Sequence, residues 1–289
     1  MPHRRTSVQQ WADAARGARS FAAEGAWGRL EGVVVAPRPG ARGFFGRARA
    51  AADPVVALVL PQAPGIEQAD ECTPVDDALA LALLAGGAHV ARVTLLELNE
   101  APDRDPLAWI DACADALQAA SGMVPRARPA VGASWLAGGA AAVLASRRDD
   151  LAFLVLAGAP VPEIMSRRTS ENEDDPMWAE SPSLRLVDGL SVLAPLESIT
   201  VETRPLLVVQ GAADATFGAA HLEGWRAALL ATGRQADASE VAFADGFFRS
   251  VGVDGGVEAG DEAAISLLRQ AVADWVGRLL SSSPTRHAR

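Results

Sequence analysis

Three uninterrupted apolar runs leave few architectures open to this chain: Val55-Val56-Ala57-Leu58-Val59-Leu60, Leu151 to Leu156, and Leu206-Leu207-Val208-Val209. None alternates apolar with polar residues, so each reads as a strand buried on both faces rather than a half-exposed one. His89-Val90-Ala91-Arg92-Val93-Thr94-Leu95-Leu96 reads as another strand, as do Val33 to Ala36, Ala130-Val131 and Glu240 to Phe243. Helical stretches separate them. Strand and helix in alternation, with strands of this buried type, mean an α/β protein with a mainly parallel central sheet covered by helices on both faces.

The chain has 289 residues, of which 49% are hydrophobic, enough for a large core within one α/β domain. It contains no lysine and no tyrosine. Schiff-base lysine chemistry and the lysine-dependent phosphate loop are therefore excluded. A net charge of −10 argues against a nucleic-acid surface. Cys72 and Cys113 are far apart, without metal-ligand spacing, and read as reduced structural thiols. No metal and no cofactor is expected, and no Gly-x-Gly-x-x-Gly turn follows the first strands. The basic N-terminus is not followed by an apolar run, and the most apolar stretches are too short to span a bilayer. The expectation is a cytoplasmic protein without membrane contact.

Taken in order, residues 1–21 read as an amphipathic helical extension carrying Trp11 and Phe21. Residues 22–280 read as a single domain. Thr73-Pro74-Val75-Asp76-Asp77 reads as a helix start, with a cap, a proline at the first position and acids in the first turn. Residues 105–121 and 222–231 read as helices. Residues 161–204, with the acidic centre Ser170 to Asp175, read as a solvated loop or a small lid. A helix runs from Asp261 to Leu280, and 281–289 reads as a disordered tail.

The chemistry-bearing stretch is Ala130-Val131-Gly132-Ala133-Ser134-Trp135-Leu136-Ala137-Gly138-Gly139. It reads as a strand, a sharp turn at Ser134 and a helix, with small residues that let strand and helix approach closely. Leu136 stands where a second glycine of Gly-x-Ser-x-Gly would be. Further on, Pro205 to Gly211 is a strand that leads through Ala212-Ala213 to Asp214.

On these pieces, together with Gly28-Arg29-Leu30-Glu31-Gly32 and Leu58-Val59-Leu60, the chain resembles the α/β-hydrolase superfamily over roughly Ala26 to Leu280. Within it, the chain is most similar to the small dienelactone-hydrolase-like serine esterases. The resemblance implies an α/β-hydrolase fold with Ser134 at the nucleophile position and Asp214 as the acid of the triad, in the chain order Ser then Asp. It also implies oxyanion donors from the backbone N–H of Trp135 and of Gln62 or Ala63.

The third triad member departs from the pattern. The family's histidine precedes a Phe-Phe pair; here Phe247-Phe248 is present and Gly246 stands at the histidine's place. A serine hydroxyl is a poor nucleophile unless a base takes its proton. The family's His-Pro-His-Pro loop reads Pro61-Gln62-Ala63-Pro64, and its Arg-Gly loop reads Leu96 to Ala101. Of the four histidines, His3 and His287 lie in the termini and His89 starts a strand, at the edge away from the strands' carboxyl ends. His221, seven residues past Asp214 and near a helix start on the carboxyl-end side, keeps the order Ser, Asp, His and is the candidate substitute base. The expectation is a hydrolase-like protein that has lost esterase activity and binds a small-molecule ligand or a protein partner. The alternative is an active enzyme on a small ester, using Ser134 and Asp214 with His221. Oligomeric state is not readable.

Overall fold

Gly25 and Gly28 flank the two-residue connection Ala26-Trp27, and this closes a hairpin between β1 (Arg19–Gly25) and β2 (Gly28–Val35). The hairpin replaces the last turn of the expected N-terminal helix. Its pairing explains why: Gly32 has no side chain, and the Phe21 ring fills the space that a Cβ there would take. The sheet thus reaches back to Arg19, before the expected domain start at residue 22. The computed structural model describes residues 17–37, 53–66, 69–160, 181–193, 205–214, 222–227, 237–252, 255–257 and 262–282. The remainder of the expected N-terminal helix, most of the expected tail and His221 lie outside them.

The apolar runs form the centre of the sheet as read. β3 is Val55–Val59, β4 His89–Leu98, β5 Arg128–Ser134, β6 Leu154–Ala157, β7 Leu206–Gly211 and β8 Asp237–Val241. The eight strands run in the order β1-β2-β4-β3-β5-β6-β7-β8. β2 is antiparallel to both neighbours, and every pair from β4–β3 to β7–β8 is parallel. The carboxyl ends of the parallel strands therefore share one edge, where α/β proteins build their sites.

Helices α1 (Ala69–Ala85) and α5 (Ala263–Ser282) bury Leu79, Leu83, Leu268 and Val272 against one face. Helices α2 (Pro106–Gly122), α3 (Ala137–Ser146) and α4 (Pro182–Leu193) cover the other, with Trp109, Leu117, Leu144 and Leu190 at its core. Asp105 caps α2 by accepting from the Leu107 N–H at 3.0 Å, with Pro106 in its first turn, as the sequence pattern asks.

β8 lies at Asp237–Val241 rather than at 240–243, and two helical segments differ from the sequence reading in substance. α1 starts at Ala69, so Pro74 lies inside it rather than at its first position. Burial decides this: Cys72, Val75 and Leu79 fall on one helical face and are all within 2% exposed. Their burial outweighs the one intrahelical hydrogen bond that a proline cannot donate. Within 161–204, α4 buries Leu186, Val187 and Leu190, so 182–193 is a packed helix and not a solvated loop. Among the described residues, no helix is long and apolar enough to cross a membrane.

Candidate active site

β5 ends at Ser134, Trp135 has φ of +49°, and Leu136 is already helical ahead of α3. The residue on the sharp turn is therefore Trp135, one place later than expected. A bulky residue in the left-handed region is strained by about 1–3 kcal/mol. Phe243 and Phe248, both in the loop after β8, share this conformation, with φ of +57° and +56°. Among the described residues, three of the four non-glycine residues with positive φ thus gather at the carboxyl-end side of the sheet.

The indole of Trp135 packs on the Phe247 ring, with centroids 4.7 Å apart and planes at 36°. The guanidinium of Arg249 lies 5.1 Å from the Phe247 ring centre. Arg249 in turn pairs with Asp245 at 2.6 Å and with Glu71 of α1 at 3.0 Å. Asp245 accepts from the N–H groups of Phe247 and Arg249, at 2.9 and 2.8 Å. These bonds fix the loop that presents Phe247 to Trp135. The Trp135 N–H, expected as an oxyanion donor, donates to the Ala157 carbonyl at 3.1 Å and is committed to the sheet.

Ser134 is 1% exposed. Its Oγ donates to Asp76 Oδ1 at 2.6 Å and accepts from Gln62 Nε2 at 2.9 Å. The same amide nitrogen lies 3.1 Å from the Ser134 carbonyl. Gln62 therefore meets Ser134 through its side chain, and Ala63 beside it is buried. Asp76 comes from α1 and is itself buried. Burial pushes its carboxyl up to about 6, against the opposing effects of the Ser134 hydrogen bond, the Arg92 charge and the Gln62 hydrogen bond. Arg92 of β4 is also buried and is ion-paired with Asp77. The Cys72 thiol, one turn before Asp76, is pushed up by burial and by the charges of Asp76 and Glu71.

Asp214 lies just past β7, 6% exposed, and accepts from Gln210 Nε2 at 3.3 Å. Gly246 is packed on it: a Cβ built at Gly246 would sit 2.7 Å from Asp214 Oδ2. The structure thus brings Gly246 to Asp214, and Phe247 to Trp135. It pairs Ser134 with Asp76, a residue that the sequence showed only as a helix acid. Gly246→His is expected to displace the Asp214 carboxylate, cost about 1–3 kcal/mol in overpacking, and leave ester turnover at the parent level. Urea unfolding and a p-nitrophenyl acetate assay check both. His89 opens β4 opposite Val56, at the amino ends of the parallel strands, far along the sheet from this cluster. Among the described residues, no group of three or more His, Cys, Asp or Glu is placed to hold a metal ion.

No protein-family model matches the chain, and no curated protein matches it. Solved structures do. An α-β serine hydrolase homologue from Coxiella burnetii is similar over 89% of this chain and 96% of its own, at 15% identity and a TM-score of 0.56. An a/b serine hydrolase without lid from Xanthomonas campestris is similar over 92% and 97%, at 17% identity and a TM-score of 0.55. Pyrococcus horikoshii acylaminoacyl peptidase is similar over 94% of this chain and 43% of its own, at 13% identity and a TM-score of 0.61. The chain has the α/β-hydrolase fold. In working α/β hydrolases of the Gly-x-Ser-x-Gly type, the nucleophile occupies the strained turn between this strand and this helix. In this α/β-hydrolase-fold chain the turn residue is a tryptophan, with Ala133 and Ala137 as the small residues two places to either side.

Proposed function

We propose that this protein is a non-hydrolytic member of the α/β-hydrolase fold, which binds a small molecule or a protein partner instead of cleaving an ester. The observation that carries the reading is the Trp135–Phe247 pair. A nucleophile on the turn needs a base within hydrogen-bond reach. Here the turn residue is an indole, and the neighbour packed on it is a phenyl ring, so neither can attack a carbonyl or take a proton. Ser134 has a hydroxyl, but it is enclosed by Asp76 and Gln62 at 1% exposure, where a substrate carbonyl has no access. Gly246 supplies no base beside Asp214.

One observation favours a second reading. A carboxylate raised to about 6 and hydrogen-bonded to a serine has the basicity of a general base near neutral pH. On that reading Ser134 and Asp76 form a working dyad once the Gln62 side chain moves aside. His221 is the other base available to an active-enzyme reading.

The test is p-nitrophenyl acetate turnover by the parent, Ser134→Ala, Asp76→Asn and His221→Ala. The expected result is one slow background rate, unchanged by any substitution. Turnover that drops by a hundred-fold or more in Ser134→Ala would overturn the reading, since loss of a serine nucleophile costs a working triad about a million-fold. A companion drop in Asp76→Asn or in His221→Ala would then identify the base.

A further inference from the structure

A sheet with two ends has two edges to protect, and this one protects them unequally. β8 is five residues long, carries the acids Asp237 and Glu240, and has α5 packed on one face, where the Trp275 indole N–H donates to Asp237. β1 is seven residues long, Arg19-Ser20-Phe21-Ala22-Ala23-Glu24-Gly25, and pairs with β2 without a break in register. It has no proline, no bulge and no lysine, and its charges sit near its ends. These are the devices by which natural edge strands avoid pairing with another chain, and β1 uses none of them along its middle. Among the described residues, β1 has no neighbour on its outer side.

The hairpin geometry sets which groups face outward. Gly25 and Gly28 flank a two-residue loop, so they form the hydrogen-bonded pair next to the turn. Alternation then directs the backbone of Phe21, Ala23 and Gly25 towards β2. It leaves the N–H and C=O groups of Ser20, Ala22 and Glu24 pointing outward. These three positions are symmetric about Ala22.

We propose that β1 is a self-association edge, which pairs antiparallel with β1 of a second copy of this chain about a two-fold axis at Ala22. The register is the one that uses every residue of the strand. Ala22 faces Ala22, and Ser20 faces Glu24 of the second copy, a hydroxyl opposite a carboxylate. On the other face Phe21 lies opposite Ala23 of the second copy. Phe21 and Ala23 already pack at the edge of the core in each copy, so the apolar face continues across the axis. About six main-chain hydrogen bonds close the ladder, and two eight-stranded sheets become one. A register shifted by two residues would instead place Phe21 on Phe21, or Glu24 next to its own copy, and leave strand ends unpaired. β8 offers a shorter ladder, five residues against seven, and this favours β1 over β8.

The experiment is the mass of the full chain in solution, by light scattering and by sedimentation, at concentrations up to about 100 µM, where even weak interfaces are populated. The parent is expected at twice the 30.0 kDa chain mass. Ala22→Pro removes an outward N–H that β2 does not use, so the hairpin should survive while the dimer weakens at least ten-fold. Ala22→Lys places two like charges across the axis and is expected to do the same; it decides the matter if the proline variant loses its circular dichroism. A parent at 30.0 kDa overturns the proposal. So does a dimer that both variants leave intact, since it would be held by another surface. A monomer whose Ser20, Ala22 and Glu24 amides resist hydrogen exchange would mean that another segment of this chain takes the edge, and overturns it equally.

Discussion

At pH 7 the Asp76→Asn variant should be more stable than the parent by about 1–3 kcal/mol, and the advantage should vanish below about pH 4. The sign follows from the raised carboxyl. In the unfolded chain Asp76 titrates near its ordinary 3.8, and in the folded protein at about 6. Between those values the native state holds a proton that the unfolded chain has released. The stability this group contributes is therefore complete below the unfolded value and is lost as the pH rises through the folded one. A gap of about two pKa units corresponds to roughly 3 kcal/mol at most. Asparagine carries no charge to bury, yet its amide oxygen still accepts from Ser134. Its amide hydrogens also offer a donor to Gln62 Oε1, which is buried without a hydrogen-bond partner among the described residues. Arg92 keeps Asp77 as its ion-pair partner. Urea unfolding of both proteins from pH 4 to 8 checks this. A stability difference that is constant across the range would show that Asp76 is ionised throughout in the fold.

That buried acid was out of reach of the sequence, and the reason is physical. Asp76 sits in a run, Thr73-Pro74-Val75-Asp76-Asp77, with the composition of a helix start, where acids are ordinarily exposed and favourable. Only the early start of α1, driven by Cys72 and Val75, turns this acid inward. The apolar strands were legible because a buried parallel strand leaves a continuous run that few other structures tolerate. β1 was not, because Ser20-Phe21-Ala22-Ala23 has weak strand propensity and is held by its pairing with β2. At the candidate site the sequence brought Asp214 and Gly246 to one place, which the fold repeats. It put the turn one residue early, because Gly132 and Ser134 match half of a familiar pattern. The better signal was the alanine pair at 133 and 137, which centres the small residues on Trp135.

Gly158→Ala should be among the most damaging single substitutions near the site, at about 3–4 kcal/mol. Two costs add. Gly158 follows β6 with φ of +57°, where a Cβ crowds the next carbonyl by about 1–2 kcal/mol. That Cβ would also lie 2.3 Å from the Gly246 carbonyl oxygen, a backbone atom that cannot rotate away. Gly65→Ala separates the two costs. Gly65 has φ of +81° and nothing within 4 Å of its built Cβ, so this variant pays the conformational cost alone, about 1 kcal/mol. If Gly158→Ala is accommodated at all, the loop from Ala244 to Ser250 must move, because the Gly246 carbonyl belongs to it. That movement would pull Phe247 from Trp135 and Arg249 from Glu71. The near-ultraviolet circular dichroism of packed aromatic rings should therefore weaken in Gly158→Ala and hold in Gly65→Ala, alongside the difference in urea midpoint. Equal and small costs for the two variants, with the aromatic signal intact in both, would show that the loop yields freely and that the Trp135–Phe247 pair does not depend on its support by β6.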